Sequence, residues 1–344
     1  MAQEITSARS RRDFLKLSSS LLIGTTLRPF SALSSTPRPL NLIERTAFTM
    51  GSIVTIKAYC SDEELCNKAI DEAFREMKTI DKLMSVFDVE SQLSLVNREA
   101  SNREIEVDAR IIEVIEKARM YSSLTCSAFD ITIEPLMKLY GFRDDKSVLH
   151  FPTDWQIAET LDAVEISNVI INSQLSTINF EQSKTKLDFG GIAVGYAIDR
   201  AVSILKRHGI ESAIINHSGD IFALGSPPDE NGWEVGITDP LQTENIITTV
   251  RIKNQALSTS GNYQNFVKAE GKTIGHILDP SNGRTATDML SSTVIAPTAI
   301  EADALSTGFF VLGIEQSRPI IRQSKNIRCI AVLRDGAGKN IVEI

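Results

Sequence analysis

Apolar residues recur along most of the chain with a period of two or of 3.6 residues, and the two periods predict strands and helices. Alternation predicts strands over residues 48–59, 169–171, 177–180, 213–216, 221–224, 233–237, 246–252, 256–260, 294–296 and 330–333. The helical period predicts helices over residues 62–83, 111–123, 129–140, 153–161, 193–208 and 299–312. Many strands with a few interspersed helices indicate an α+β fold around a mostly antiparallel sheet core with flanking helices.

The N-terminal segment has the pattern of an export signal. The string SRRDFLK at residues 10–16 contains paired arginines, and a short, mildly apolar run over residues 17–27 follows it. That run is too short for a transmembrane helix and suits the central region of a signal peptide. Because the string resembles the twin-arginine (Tat) motif, we predict a Tat signal peptide at 1–35, a linker at 36–47 and one periplasmic domain at 48–344. No cysteine stands directly after the apolar run to carry a lipid, so we expect no stable membrane anchor.

The composition of the chain disfavours some classes of binding partner. The chain has 344 residues, 42% of them hydrophobic, and a formal net charge of -8. That length and hydrophobic share suit a globular protein with a large core. The negative charge disfavours nucleic acid as a partner. An anionic dinucleotide would need help from helix N-termini, backbone N–H groups or a bound cation.

The four cysteines, at positions 60, 66, 126 and 329, show no C-x-x-C spacing. A zinc site or a thioredoxin-like pair is therefore not expected. In an oxidising compartment Cys60 and Cys66 could pair, but buried free thiols are the default expectation.

Two glycine-rich turns stand out. The string LDFGGIAVGY at residues 187–196 has the pattern of a strand, a glycine turn and a helix start, which allows a ligand's phosphate to approach backbone N–H groups. It matches neither a dinucleotide-binding fingerprint nor a P-loop, so a tight structural turn and a phosphate site both stay open. The second turn, NHSGD at residues 216–220, is on its own typical of a bulge or hairpin.

Hydroxyl groups, a histidine and an aspartate cluster between residues 256 and 280. The strings ALSTSGNY at 256–263 and HILDP at 276–280 carry them. His276 is one of only four histidines and is a candidate for acid–base chemistry, although a structural, hydrogen-bonded histidine is the alternative. The chain has no G-x-S-x-G nucleophile elbow.

Asp303 and Thr307 are four residues apart at the start of a predicted helix, so their side chains share one face. A carboxylate and a hydroxyl so placed can bind Mg²⁺, with phosphate or water as the remaining ligands. The alternative is a favourable charge at a helix N-terminus beside a threonine that only packs.

Together and in this order, these blocks resemble the ApbE family of flavin transferases (FAD:protein FMN transferases). The resemblance runs from about residue 48 to 313. Its blocks are FTMG at 48–51, DKLMSVF at 81–87, SQLSLVN at 91–97, TCSAFDIT at 125–132, YGF at 140–142, the two glycine turns, TSG at 259–261, HILDP at 276–280 and ADALST at 302–307.

The resemblance implies an ApbE-like, T-fold-related architecture and transfer of FMN from FAD to a Thr or Ser hydroxyl of a periplasmic redox protein, with release of AMP. It implies Mg²⁺ held by the Gly191 carbonyl and the side chains of Asp303 and Thr307. His276 would lie near the reacting centre, as acceptor of the hydroxyl proton or as a positioning group, so His276 and Asp303 are the expected catalytic residues. The residues implied to surround the FAD are Met50, Phe87, Ala128, Phe129, Asp130, Asp188, Val194 and Ile277.

The chain departs from the family pattern at four positions. Val194 replaces a frequent lysine, Ser127 a common glycine, Glu134 a small residue and Asn262 a frequent aspartate. Two alternatives therefore stay open: an FAD pyrophosphatase that yields FMN and AMP, and a non-catalytic FAD-binding accessory protein for maturing a redox complex. Val194 favours the accessory protein, and the Asp303/Thr307 pair argues against it.

Overall fold

A computed structural model of the chain describes residues 39–143, 151–263, 266–269, 272–336 and 338–344. The predicted signal peptide at 1–35 lies outside the described residues. The strands are β1 (Asn41–Thr49), β2 (Ser52–Cys60), β3 (Ile105–Glu106), β4 (Val169–Asn172), β5 (Thr177–Phe180), β6 (Ala213–His217), β7 (Asp220–Leu224), β8 (Trp233–Thr238), β9 (Ile246–Ile252), β10 (Gln255–Ser260), β11 (Phe266–Ala269), β12 (Lys272–Gly275), β13 (Met289–Ala296), β14 (Arg328–Asp335) and β15 (Gly338–Glu343).

Eight of these strands form one sheet in the order β1-β2-β6-β7-β10-β13-β14-β15. Each neighbouring pair is antiparallel. Smaller sheets pair β8 with β9, β11 with β12, and β3 and β4 with β5. The antiparallel core predicted from the sequence is therefore confirmed.

The helices are α1 (Glu63–Met84), α2 (Gln92–Glu99), α3 (Ala109–Leu124), α4 (Glu134–Leu139), α5 (Asp154–Leu161), α6 (Ala193–Arg207), α7 (Ala299–Leu312) and α8 (Ile314–Gln323). Asp62 accepts a hydrogen bond from the Leu65 N–H at 3.1 Å and so caps α1. Residues on nearly every side of α7 are buried, as expected for a helix enclosed by other elements. Within the described part of the chain, every helix is too short or too polar to cross a bilayer.

The large sheet is covered differently on its two faces. The main core joins one face to α1, α6 and α7, with Ile56, Ala197 and Phe309 among its buried side chains. The β8–β9 hairpin covers the other face through Trp233 and its neighbours. A third, smaller core around Tyr140 joins α4 and α5 to the segment near Gly283, whose carbonyl accepts the Tyr140 hydroxyl at 2.9 Å.

Several predicted boundaries were wrong. Residues 41–47, expected to be a linker, belong to β1, and the single strand predicted over 48–59 is a hairpin that turns at Met50 and Gly51. Within the helix predicted over 129–140, only α4 is helical, because the preceding residues bond to side chains instead. The periodicity of apolar residues did not predict α2, α8, β3, β11, β12 or β15.

The cysteines also differ from the default expectation. Cys60 and Cys66 form a disulfide that joins the end of β2 to the first turn of α1. Cys126 is exposed, whereas Cys329 is buried and burial raises the pKa of its thiol to about 11. The expectation of buried free thiols therefore holds for Cys329 alone.

Two consecutive non-glycine residues, Cys126 and Ser127, have left-handed backbones, with φ of 52° and 64°. Since a side chain at such a φ costs about 1 kcal/mol or more, we expect Ser127→Gly to raise the free energy of unfolding by roughly 0.5 kcal/mol, net of the extra freedom of glycine in the unfolded chain. Chemical denaturation measures this change.

Ser123 is the matched control because it is exposed within α3. Ser123→Gly should lower the free energy of unfolding by about 0.5 kcal/mol, as glycine does inside a helix. Equal losses in both variants would show that the backbone at Ser127 carries no strain.

Candidate functional site

The candidate site lies where α6 and α7 begin side by side. A methyl group at Gly195 would lie 2.3 Å from the Ala299 carbonyl oxygen, so the two helices approach this closely only because residue 195 has no side chain. Asp199 accepts hydrogen bonds from the Ala299 and Ile300 N–H groups at 2.8 and 2.9 Å. The start of α7 is thereby fixed against α6.

Asp303 is a buried carboxylate in the second turn of α7. Its Oδ2 accepts the Gly195 N–H at 3.0 Å. Burial, reinforced by the nearby Asp220 and Asp199 carboxylates, raises the pKa of Asp303 well above its ordinary value. A buried carboxylate with two acidic neighbours favours a proton or a bound cation as its partner.

Thr307 follows one helical turn later, beside the first glycine turn. A methyl group at Gly191 would lie 3.2 Å from Thr307 Oγ1 and 3.3 Å from Phe129 Cε2. The structure thus brings Gly191 and Thr307 together, one turn of helix from Asp303. A carboxylate, a hydroxyl and a backbone carbonyl are the hard oxygen ligands that suit Mg²⁺.

Among the residues that the structure describes, no three His, Cys, Asp or Glu side chains come together as ligands of one ion. A cation at Asp303 would therefore depend on a hydroxyl and a carbonyl for its other protein ligands. Mg²⁺ commonly binds in this way, with substrate phosphates and water completing its coordination.

Several serine hydroxyl groups lie close to Thr307, and none of them was predicted as a site residue. Ser260 Oγ is 3.0 Å from Thr307 Oγ1 and 2.8 Å from Ser306 Oγ. Ser258 Oγ donates to Asp220 Oδ1 at 2.5 Å. In the sequence, only the TSG and NHSGD blocks indicated that Ser260 and Asp220 could belong to a site. The folded chain shows that they lie beside α7.

Asp188 holds the first glycine turn in place. Its backbone N–H donates to the Ile131 carbonyl at 2.7 Å, and its Oδ1 accepts the Gly190 N–H at 2.8 Å. Its Oδ2 forms an ion pair with Arg143, a residue that the sequence analysis did not identify. Asp188 therefore joins the turn to the loop that follows α4.

Arg143 also connects two other side chains. Its Nε donates to Glu134 Oε2 at 2.7 Å, and its guanidinium lies 5.0 Å from the centre of the Phe87 ring. Phe87 is 72% exposed, so one cation restrains an aromatic ring that is open to solvent. Burial, reinforced by Asp188 and opposed by Arg143, raises the pKa of Glu134 to about 7.

A cleft of about 910 Å³ extends along the other side of Glu134. Four of its lining residues are cationic: Arg98, Lys138, Lys184 and Lys186. Burial, together with the charge of Lys138, lowers the pKa of Lys186. In a chain whose net charge is -8, this local excess of positive charge favours an anionic ligand.

The remaining predicted cofactor residues lie on several elements. Met50 occupies the β1–β2 turn, where its N–H donates to Asp81 Oδ2 at 2.7 Å. Ala128 and Phe129 are buried beside α7. The carboxylate of Asp130 accepts three bonds at 2.6 to 3.0 Å, from the N–H and hydroxyl of Thr132 and from the Ile166 N–H, so within the chain it fixes the loop before α4.

Val194, in the first turn of α6, is half-buried against the main core. Ile277 is buried, and its N–H donates to Asn262 Oδ1 at 3.1 Å. His276 is half-buried directly before Ile277. Its acid–base role stays a prediction, as does the contact of each of these residues with a flavin.

The fold and the site define an α+β protein in which two helices on an antiparallel sheet carry a buried carboxylate and a hydroxyl, and in which α4 lines a cationic cleft. The family model of ApbE matches residues 50–331. The chain belongs to the ApbE family, and the resemblance stated from the sequence is confirmed.

Individual relatives agree with this assignment. An FAD:protein FMN transferase of Klebsiella pneumoniae (strain 342) is 30% identical over 294 residues, which cover 84% of this chain and 89% of that protein. One of Salmonella typhimurium is 28% identical and covers 84% of each chain. The crystal structure of the ApbE protein of Thermotoga maritima has a TM-score of 0.79 at 30% identity, covering 87% and 96% of the two chains. The structure of the flavin transferase ApbE of Vibrio cholerae has a TM-score of 0.76 at 25% identity. The match covers 89% of this chain and 97% of that one.

The raised pKa of Glu134 predicts a pH dependence of stability. The folded protein keeps the Glu134 proton between the ordinary pKa of 4.5 and about 7, whereas the unfolded chain releases it. Glu134 therefore contributes its full share to the free energy of unfolding below pH 4.5, and this share is lost as the pH rises through about 7. Glu134→Gln cannot lose a proton at this position. Between about pH 5 and about pH 8, its free energy of unfolding should therefore rise relative to that of the wild type by up to about 3 kcal/mol, as measured by chemical denaturation at both pH values.

Arg143→Gln is the complementary variant. Because Arg143 opposes the rise in the pKa of Glu134, its removal should move the window of lost stability to higher pH. If the free energy of unfolding varied with pH in the same way in wild type and Glu134→Gln, the raised pKa of Glu134 would be contradicted.

Proposed function

We propose that this chain transfers the FMN half of FAD to a Thr or Ser hydroxyl of an acceptor protein, releases AMP and depends on Mg²⁺. The observation that carries the proposal is the approach of Gly191 to Thr307 on α7, one helical turn from the buried carboxylate of Asp303. The relatives named as FAD:protein FMN transferases support the same reaction class.

The donor set fits the metal. Asp303 supplies a buried carboxylate, Thr307 a hydroxyl and Gly191 a backbone carbonyl. When bound, Mg²⁺ offsets the charge that develops on the pyrophosphate oxygens and on the departing AMP. Nearby Asp220 adds negative charge, which further favours a cation over an empty site.

The cationic cleft and the neighbouring aromatic ring fit the substrate. Lys138 and Lys186 offer charge to a diphosphate, whereas Lys184 is already paired with Glu159 at 2.6 Å. The exposed ring of Phe87 offers a surface for stacking a flavin. Val194 places an apolar side chain where the family often has lysine. Arg143, through its ion pair with Asp188, supplies positive charge at the turn that Val194 follows.

The transfer step needs one proton acceptor. The acceptor hydroxyl oxygen forms a bond to the phosphorus of the FMN half, and the bond from that phosphorus to the AMP oxygen breaks. AMP leaves with the electron pair, and the hydroxyl proton goes to His276, because histidine is the residue type most often used as a general base near neutral pH. The half-buried position of His276 beside the buried Ile277 supports this assignment.

An extracytoplasmic location follows from two independent features. The SRRDFLK string at residues 10–16 resembles a Tat export motif, and Cys60 and Cys66 form a disulfide. Disulfides persist in oxidising compartments such as the periplasm. The acceptor is accordingly a periplasmic redox protein that presents a Thr or Ser in an accessible segment.

The reaction can be tested with purified chain, FAD, Mg²⁺ and an acceptor protein. Fluorescent flavin that stays on the acceptor during denaturing electrophoresis would support transfer. AMP and free FMN without labelled acceptor would support the pyrophosphatase alternative. FAD recovered intact would overturn both enzymatic proposals and favour the accessory-protein alternative.

Asp303→Ala tests the metal site. Because it removes the only charged side chain among the three assigned ligands, we expect transfer to fall by at least about 100-fold. Circular dichroism should show an intact fold.

Glu301→Gln is the matched control, because Glu301 lies on the same helix, half-buried and with Lys117 as its nearby charge. It should transfer FMN at close to the wild-type rate. A wild-type rate in Asp303→Ala would show that the assigned metal site is wrong.

A further inference from the structure

A chain of hydroxyl groups connects Thr307 to the backbone of Asp303. Thr307 Oγ1 lies 3.0 Å from Ser260 Oγ, and Ser260 Oγ lies 2.8 Å from Ser306 Oγ. Ser306 Oγ in turn donates to the Asp303 carbonyl oxygen at 2.9 Å. The chain thus passes from α7 to strand β10 and back to α7.

The carbonyl at the end of this chain fixes the direction of every proton in it. Each hydroxyl has one proton to donate, whereas a carbonyl oxygen can only accept. The proton of Ser306 is therefore committed to the Asp303 carbonyl, and Ser306 must accept from Ser260. Ser260 has then used its own proton and must accept from Thr307.

This direction matters for a metal ligand. A hydroxyl binds a cation through an oxygen lone pair, and its proton must point elsewhere. We infer that Ser260 is a positioning residue for the metal site: its oxygen accepts the hydrogen bond that the Thr307 hydroxyl donates, which leaves the lone pairs of the Thr307 oxygen for the cation. The inference rests on the proposed Mg²⁺ site at Asp303 and Thr307.

Ser258 strengthens the direction of the chain. Its Oγ donates to Asp220 at 2.5 Å and lies 3.2 Å from Ser306 Oγ. With its proton directed to a carboxylate, Ser258 has none left for Ser306. The proton that Ser306 accepts therefore comes from Ser260.

The neighbouring residue on β10 provides a matched control. Thr259 lies on the opposite face of the strand, where its Oγ1 is 2.8 Å from Thr293 Oγ1 of β13. Thr259 therefore forms a hydroxyl pair of the same kind that has no connection to Thr307. Loss of either pair should affect packing in a similar way, but only loss of the Ser260 pair should affect a metal at Asp303.

The test is calorimetric titration of the purified full chain with Mg²⁺ alone, repeated with Mn²⁺ as a second probe. Ser260→Ala should weaken metal binding by about 10-fold, as changes to groups that orient metal ligands do. Ser260→Thr keeps the hydroxyl and should stay close to wild type, and Thr259→Val should leave the affinity unchanged.

A double-mutant cycle separates the orienting role from a structural one. If Ser260 acts through Thr307, Ser260→Ala should cause no further loss of affinity in a Thr307→Val background. The same loss in both backgrounds would overturn the inference, because Ser260 would then act independently of Thr307.

Failure of the inference can be told from failure of the proposed function. Wild-type affinity in Ser260→Ala, with weakened binding in Thr307→Val, would overturn the inference and keep the metal site. Wild-type affinity in both Asp303→Ala and Thr307→Val, or no metal binding by the wild-type chain, would overturn the metal site and the inference with it.

Discussion

The close approach of α6 and α7 at Gly195 is the contact on which the rest of the site depends. Any side chain at that position would collide with the Ala299 carbonyl, and separated helices would lose the bond from the Gly195 N–H to Asp303. Asp199 secures the same junction by accepting two N–H groups from the first turn of α7. Asp303 and Thr307 therefore have a fixed distance from the glycine turn before any ligand arrives, as preorganised electrostatic catalysis requires.

The site combines two kinds of electrostatic environment. At α7, buried carboxylates lie close together, with Asp303 beside Asp220. At the cleft, basic residues predominate, and Arg143 lies between Glu134 and Asp188. The basic residues of the cleft favour an anionic group, whereas the carboxylates at α7 favour a cation.

Sequence patterns predicted those parts of the molecule that depend on local spacing. The four-residue separation of Asp303 and Thr307 places both on one helical face, and the helix predicted over 62–83 is α1. Local spacing failed before α4, where Asp130 and Thr132 bond to each other and to backbone groups instead of continuing a helix. It also failed for β1, an edge strand whose exposed face carries the apolar Leu42 and Phe48 beside Glu44, so apolar residues do not mark its buried face.

Contacts between distant segments could not be predicted in the same way. Ser260 and Thr307 are 47 residues apart, and Arg143 and Asp188 are 45 apart. No periodicity links such pairs, since their contact depends on how α7 and the loop after α4 pack in three dimensions. The family blocks indicated which segments matter, but not which atoms meet.

The stacking of Arg143 over Phe87 affects how strongly a planar ligand can bind to this ring. An exposed aromatic side chain normally samples several rotamers, and a ligand that stacks on it must select one, at a cost of about 0.5–1.5 kcal/mol per immobilised side chain. Arg143 is itself held by two carboxylates, so the ring beneath it is already restrained. A planar ligand that reaches the open face of Phe87 meets a ring whose orientation Arg143 already favours, so part of the ordering cost is met during folding.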